Sequence, residues 1–176
     1  MEDKVTKFGN CAHNLAPNVE ALFVQMEMES ESQLNFLADY IGCNLGSLEN
    51  LVTAKEVDGE DVTFTLLNLV ESGMAGAAIL LGLKGQVGKL ANLMTDLYAR
   101  KNRDYGGSFD RSMDKFGLVV AAIRIGDKVN RLQSLIEKGG AEVKDESIAD
   151  TFIDLACYSI MTLMWMEGES ELKIEN

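Results

Sequence analysis

The stretch GLVVAAIRIGDKVNRLQSLIEK, residues 117–138, decides the fold. Its apolar residues Leu118, Ala122, Ile125, Val129, Leu132 and Ile136 recur at intervals of four and three, which lines one face of an α-helix. A half-buried strand would alternate apolar and polar residues, and no run in the chain does so. Outward from this helix the pattern repeats. Gly139 and Gly140 end it, Asp145 offers an N-cap for a helix reaching Trp165, and the apolar side of that helix carries Ile148, Phe152, Leu155, Ala156 and Leu163. Towards the N-terminus, helix is expected from about 62 to 100 with breaks at its glycines. Glu31 to Leu51 reads as a helix pair interrupted around Gly42 to Gly46. The one proline, Pro17, suits a first helical turn before Val19, Leu22, Phe23 and Met26. The expected fold is all-α: a compact helical bundle with a helical N-terminal lobe. Residues 1–90 and 91–176 form two parts or one continuous domain, with the softest boundary at Asp58 to Glu60.

Bulk properties narrow the function. A chain of 176 residues, 47% hydrophobic and 25% charged, has the composition of an ordinary soluble globular protein. Its net charge of −12 argues against general affinity for nucleic acid or anionic membrane, both of which are bound through excess Lys and Arg. An anionic ligand therefore needs a local basic cluster or a metal ion. Three widely separated cysteines, Cys11, Cys43 and Cys157, read as reduced thiols. The apolar run Met74 to Leu83 is too short to cross a bilayer and reads as a buried helix, with Gly73, Gly76 and Gly82 admitting a close neighbour. A cytoplasmic protein is expected. Met161, Met164, Trp165 and Met166 offer more apolar surface than a short terminal helix needs, so a homo-oligomer is expected too.

The charged residues of the last third carry the functional signal. Arg124, Lys128 and Arg131 lie on one flank of the 117–138 helix with Asp127 between them. The following segment spaces Glu146, Asp150, Asp154 and Tyr158 four apart. Capping explains acids near a helix start but not ones further in. A buried carboxylate needs a cation or several donors, which leaves a structural ion-pair network or a metal or nucleotide site. Mg²⁺ usually pairs carboxylates with substrate phosphates and water, while Arg and Lys take the remaining phosphate oxygens. The segment Asp104-Tyr105-Gly106-Gly107-Ser108 would add a flexible loop and an aromatic ring. Gln33 to Leu51 has the packing spacings of a helix-turn-helix, but Asn44, Ser47, Glu49 and Asn50 give its second helix no cation, and the plain helix pair is preferred. His13 is the only histidine, which excludes a histidine-based zinc cluster.

Several blocks in order, Lys101-Asn102-x-Asp104-Tyr105-Gly106, Arg124-Ile125-Gly126-Asp127-Lys128-x-x-Arg131-Leu132, Val143 to Thr151 and Asp154-Leu155-Ala156-x-Tyr158, resemble the phage and prophage family called nucleotide modification associated domain 1, over roughly Met94 to Met166. The resemblance implies a helical fold, a phage setting and a nucleotide-type ligand. With it go the host cytoplasm as the location if the protein is phage-encoded, and these expected roles: Asp104 and Asp127 as catalytic candidates; Lys101, Tyr105, Arg124, Lys128 and Arg131 on the ligand; Glu146, Asp150 and Asp154 on Mg²⁺. A looser likeness is to the all-α nucleoside triphosphate pyrophosphohydrolases, although their glutamate pair is replaced here by Asp127 among basic residues. Three roles follow: a Mg²⁺-dependent nucleotide phosphohydrolase, a non-catalytic binder that sequesters a host nucleotide signal or regulates nucleotide supply, and a structural inhibitor of a host partner.

Overall fold

A computed structural model describes residues 3–26, 29–138 and 147–174. Seven α-helices run through them: α1 (Lys4–Gln25), α2 (Ser30–Thr53), α3 (Gly59–Leu80), α4 (Val87–Tyr105), α5 (Ser108–Phe116), α6 (Val119–Glu137) and α7 (Ile148–Ile174). There is no strand among the described residues, so the all-α expectation holds.

Local chemistry sets the helix starts. Asp3 caps α1 by accepting from the Val5 amide at 2.7 Å and the Thr6 hydroxyl at 2.9 Å. Asp58 caps α3 by accepting from the Glu60 and Asp61 amides. The chain turns between α3 and α4 through Gly82 and Gly85, whose φ values of +67° and +74° suit glycine. The Glu20 carboxylate accepts from the amides of Gly85 and Val87, each at 2.9 Å, and so ties this turn to α1.

Helix α3 is the central element, packing against α1, α2, α4 and α7. One core cluster draws side chains from all seven helices. At Gly76 a Cβ would lie 2.3 Å from a ring carbon of Phe152, and at Gly73 one would lie 3.0 Å from the Phe152 carbonyl oxygen. The two glycines form a notch in α3 that receives the fully buried Phe152 of α7. By length and composition α3 and residues 148–168 of α7 could each cross a membrane, but 67% and 50% of those windows lie buried inside the fold.

The structure revises several sequence expectations. Pro17 sits inside α1, not in its first turn. Helix α2 runs unbroken through Gly42 and Gly46, so the pair is one helix. The buried Asn44 side chain donates to the Tyr40 carbonyl and accepts from Asn68. The glycines of α3 do not break it, and Gly82 meets no neighbour because it belongs to the turn. Met161, Met164, Trp165 and Met166 are partly buried against the core, and the Trp165 indole donates to Asp114 at 2.8 Å. These four side chains are thus shared between the core and solvent.

Candidate functional site

Helices α4, α5, α6 and α7 enclose a cavity of about 390 Å³. Lys101 and Tyr105 enter it from the last two turns of α4, which continues helically where a flexible loop was expected. The chain then reverses at Gly106 and Gly107, with φ of +56° and +68°, and the Arg111 guanidinium donates to the Gly106 carbonyl. Two consecutive left-handed residues turn the chain sharply enough for Phe109 and Asp110 of α5 to face the same cavity. Arg124 and Lys128 enter from α6, one turn apart. From α7 come Asp154, Cys157, Tyr158 and Met161, spaced by three, one and three residues along a single helical face.

The charges are closely coupled. Asp154 Oδ1 accepts from Lys101 Nζ at 2.8 Å, and its Oδ2 lies 2.8 Å from Lys128 Nζ. The carboxylate is 13% exposed, whereas Lys128 is 20% and Lys101 48% exposed. Burial pushes the Asp154 carboxyl up, but the hydrogen bonds from Lys101 and Lys128 outweigh it and hold the group below its ordinary value. Burial likewise lowers Lys101, and its bond to Asp154 more than reverses this. Arg124 is exposed and has no carboxylate partner among the described residues. Asp110 pairs with Lys4 of α1. Burial, with Asp154 adding to it, raises the Cys157 thiol to about 12, so it stays protonated and unreactive at neutral pH. Burial and then Asp110 and Asp3 push Tyr98 up to about 12 while its ring stacks on Phe8 at 4.4 Å.

The rest of the cavity lining includes apolar and aromatic side chains. Phe109 and Tyr158 meet at 5.5 Å between ring centroids with planes inclined by 50°. Leu97 and Met161 line the same space, and Tyr105, 67% exposed, stands at its rim.

Of the residues singled out in the sequence, the fold brings together Lys101, Tyr105, Arg124, Lys128 and Asp154. Asp104 and Asp127 are exposed and lie outside the cavity, so neither catalytic candidate faces it. Arg131 points elsewhere, with its Nε donating to the Thr151 hydroxyl at 3.3 Å. Asp150 is a capping residue. Its Oδ2 accepts from the Ser147 amide at 2.9 Å and hydroxyl at 2.7 Å, while the Ser147 Oγ accepts from the Asp150 amide at 3.1 Å. This is a reciprocal capping box, which corrects the view that Asp150 lies too far in to cap. Glu146 and the expected cap Asp145 lie outside the described residues. Asp154 thus has a lysine on each oxygen, and Asp150 closes a helix end. No cluster of three His, Cys, Asp or Glu suited to a metal occurs among the described residues.

Sequence reasoning missed Asp110, Phe109, Cys157 and Met161 as site residues. The last two share the face of Asp154 and Tyr158, so helical spacing alone would have found them. Asp110 and Phe109 required knowing how the Gly106-Gly107 turn aims α5.

Residues 101–166 match the family model described as nucleotide modification associated domain 1. The resemblance read from the sequence blocks is thus borne out, with a start seven residues later than Met94. The matched segment contains every charged residue that lines the cavity, from Lys101 to Asp154. No curated protein and no solved structure matches the chain. The looser likeness to the pyrophosphohydrolases gains no support from these comparisons.

Proposed function

We propose that the protein binds a nucleotide or phosphorylated nucleoside in the cavity between α4, α5, α6 and α7, and serves modified-nucleotide metabolism in a phage or prophage setting within the cytoplasm. One observation carries this reading. Three cations, Lys101, Arg124 and Lys128, share a cavity of about 390 Å³ with the aromatic rings of Phe109, Tyr158 and Tyr105, inside the segment matched to a nucleotide-associated family. Guanidinium and ammonium groups recognise phosphate oxygens, Arg through its planar fork, and a neighbouring apolar and aromatic wall accepts a sugar and base. The exposed Tyr105 ring is placed to stack on a base at the rim.

Binding without turnover fits the site better than hydrolysis, because Asp104 and Asp127 do not face the cavity and Asp154 is held by two lysines. A protein that sequesters a nucleotide signal or regulates nucleotide supply needs only the binding step. The test is thermal unfolding with a nucleotide panel, with and without Mg²⁺, followed by product analysis. At least one nucleotide should raise the melting temperature of the wild type, Arg124→Ala should abolish the shift, and the nucleotide should be recovered intact. Recovery of cleaved nucleotide only in the presence of Mg²⁺ would replace the binder with a magnesium-dependent phosphohydrolase. A panel that leaves the melting temperature unchanged would remove the nucleotide reading.

A further inference from the structure

We infer that a second cavity, between α1, α2 and α3, is a binding site for an organic cation, a small molecule carrying an alkylammonium group. This cavity has a volume of about 510 Å³ and shares no lining residue with the one between α4, α5, α6 and α7, so the inference is independent of the nucleotide reading. Helix α2 supplies its aromatic wall. Phe36 and Tyr40 stand four residues apart on one helical face, with ring planes inclined by only 7° and centroids 6.2 Å apart. Neither ring belongs to the core cluster: Phe36 is 49% exposed and Tyr40 40%. Both are therefore open to a ligand without any rearrangement of the packing.

The polar part of the lining selects the sign of the ligand. Glu71 of α3 is its charged residue, and no Lys, Arg or His accompanies it among the described residues that line the cavity. Its Oε1 accepts from Asn18 Nδ2 at 2.7 Å, which holds the carboxylate in place without neutralising it. Asn68, whose amide nitrogen donates to Asn44 Oδ1 at 3.2 Å, adds a second acceptor to the same lining. Aromatic rings attract cations through their quadrupole, and a carboxylate beside them supplies the counter-charge. An anion would meet Glu71 with nothing to offset it, and a neutral apolar ligand would strip water from the carboxylate without replacing it. An alkylammonium ion meets both demands, its hydrocarbon part against Leu37 and the rings and its charge beside Glu71. The net charge of −12 on the chain raises the local concentration of such ions.

The test titrates the full chain with choline and with its neutral carbon analogue, in which a tert-butyl group replaces the trimethylammonium group. Binding is followed by amide NMR shifts at constant ionic strength. Choline should bind at least about tenfold tighter than the analogue, with its shifts on α1, α2 and α3. Glu71→Gln keeps an oxygen for Asn18 but removes the charge, and Phe36→Leu keeps an apolar side chain but removes a ring. Each should weaken choline by about tenfold. Equal affinity for the neutral analogue overturns the inference and leaves an apolar pocket with no preference for charge. So does the absence of choline binding at millimolar concentration. Affinity left unchanged by either variant overturns it as well, since diffuse attraction to an acidic chain would behave in that way. Should Glu71→Gln fail to fold, Phe36→Leu decides alone, because its side chain is half exposed and outside the core cluster.

Discussion

Asp154 is surrounded by opposing forces whose balance can be measured. Burial disfavours its charge, yet two lysines hold it ionised and below the ordinary carboxyl value of 3.8. A group that releases its proton more readily when folded stabilises the fold fully above its unfolded value, and that contribution fades as acid titrates it through the lower folded one. The Asp154→Asn variant should lose about 1–2 kcal/mol at neutral pH, less than the cost of breaking a fully buried pair because Lys101 is half exposed. The difference from wild type should begin to narrow below about pH 4 and close as the pH falls through the lower folded value. Urea unfolding at pH 7 and pH 3 checks it, and a gap that stays constant would mean the carboxylate is not ion-paired. Asp154 is also the residue at which the sequence was most informative. A carboxylate in an apolar helix signals a buried partner, and lysines supply it. Its neighbour Asp150 shows the opposite case, because the same four-residue spacing placed it in a helix cap. Which of two acids caps a helix depends on where the first turn begins, and Ser147 at the cap settled that.

The helices were legible wherever apolar spacing continued over several turns, as in α6. Their interruptions were not. Glycine reads as a break in α2 and α3, but Gly42, Gly46, Gly73 and Gly76 are all helical, because the packing of the whole helix outweighs a loss of about 1 kcal/mol in helix propensity at each glycine. The true breaks at Gly82, Gly85, Gly106 and Gly107 are marked by positive φ, which no composition rule distinguishes from a glycine in a helix. Two substitutions separate the classes. Gly76→Ala drives a methyl into the Phe152 ring and should cost about 2–3 kcal/mol, the range for overpacking a rigid core. Gly46→Ala meets nothing within 4 Å and should stabilise by about 0.5–1 kcal/mol. Chemical-denaturation midpoints moving in opposite directions would confirm the distinction, and a shared direction would refute it.

At the scale of the whole molecule, the segment that carries the nucleotide signal holds only part of the core. Residues 101–166 supply the end of α4, then α5, α6 and most of α7, whereas α3, against which α7 packs, lies outside the match. A fragment containing residues 94–176 would expose the face of Phe152, Leu155 and Ala156, all fully buried in the intact chain. Burying a large apolar side chain contributes about 1.5–3 kcal/mol, so this loss is comparable to the whole stability of a small domain. The fragment should give the spectrum of an unfolded or molten chain and should bind dyes that report exposed apolar surface. A cooperative thermal transition in the fragment would show that the matched segment folds by itself. Long-range dependence of this kind was invisible in the sequence, since nothing in the pattern of α3 names Phe152 as the residue its glycines receive.

Phe152 and Asp154 stand two positions apart on α7, roughly 200° around its axis, so one seats in α3 while the other faces the cavity. The glycine notch therefore acts as an index pin: it fixes how far α7 is rotated, and through that rotation the span between the Asp154 carboxylate and the cations of α4 and α6. Chemistry is inherited with the matched segment, but aperture is set by a helix outside it. Measured on the same Gly76→Ala protein, nucleotide affinity should change although no residue lining the cavity has been touched.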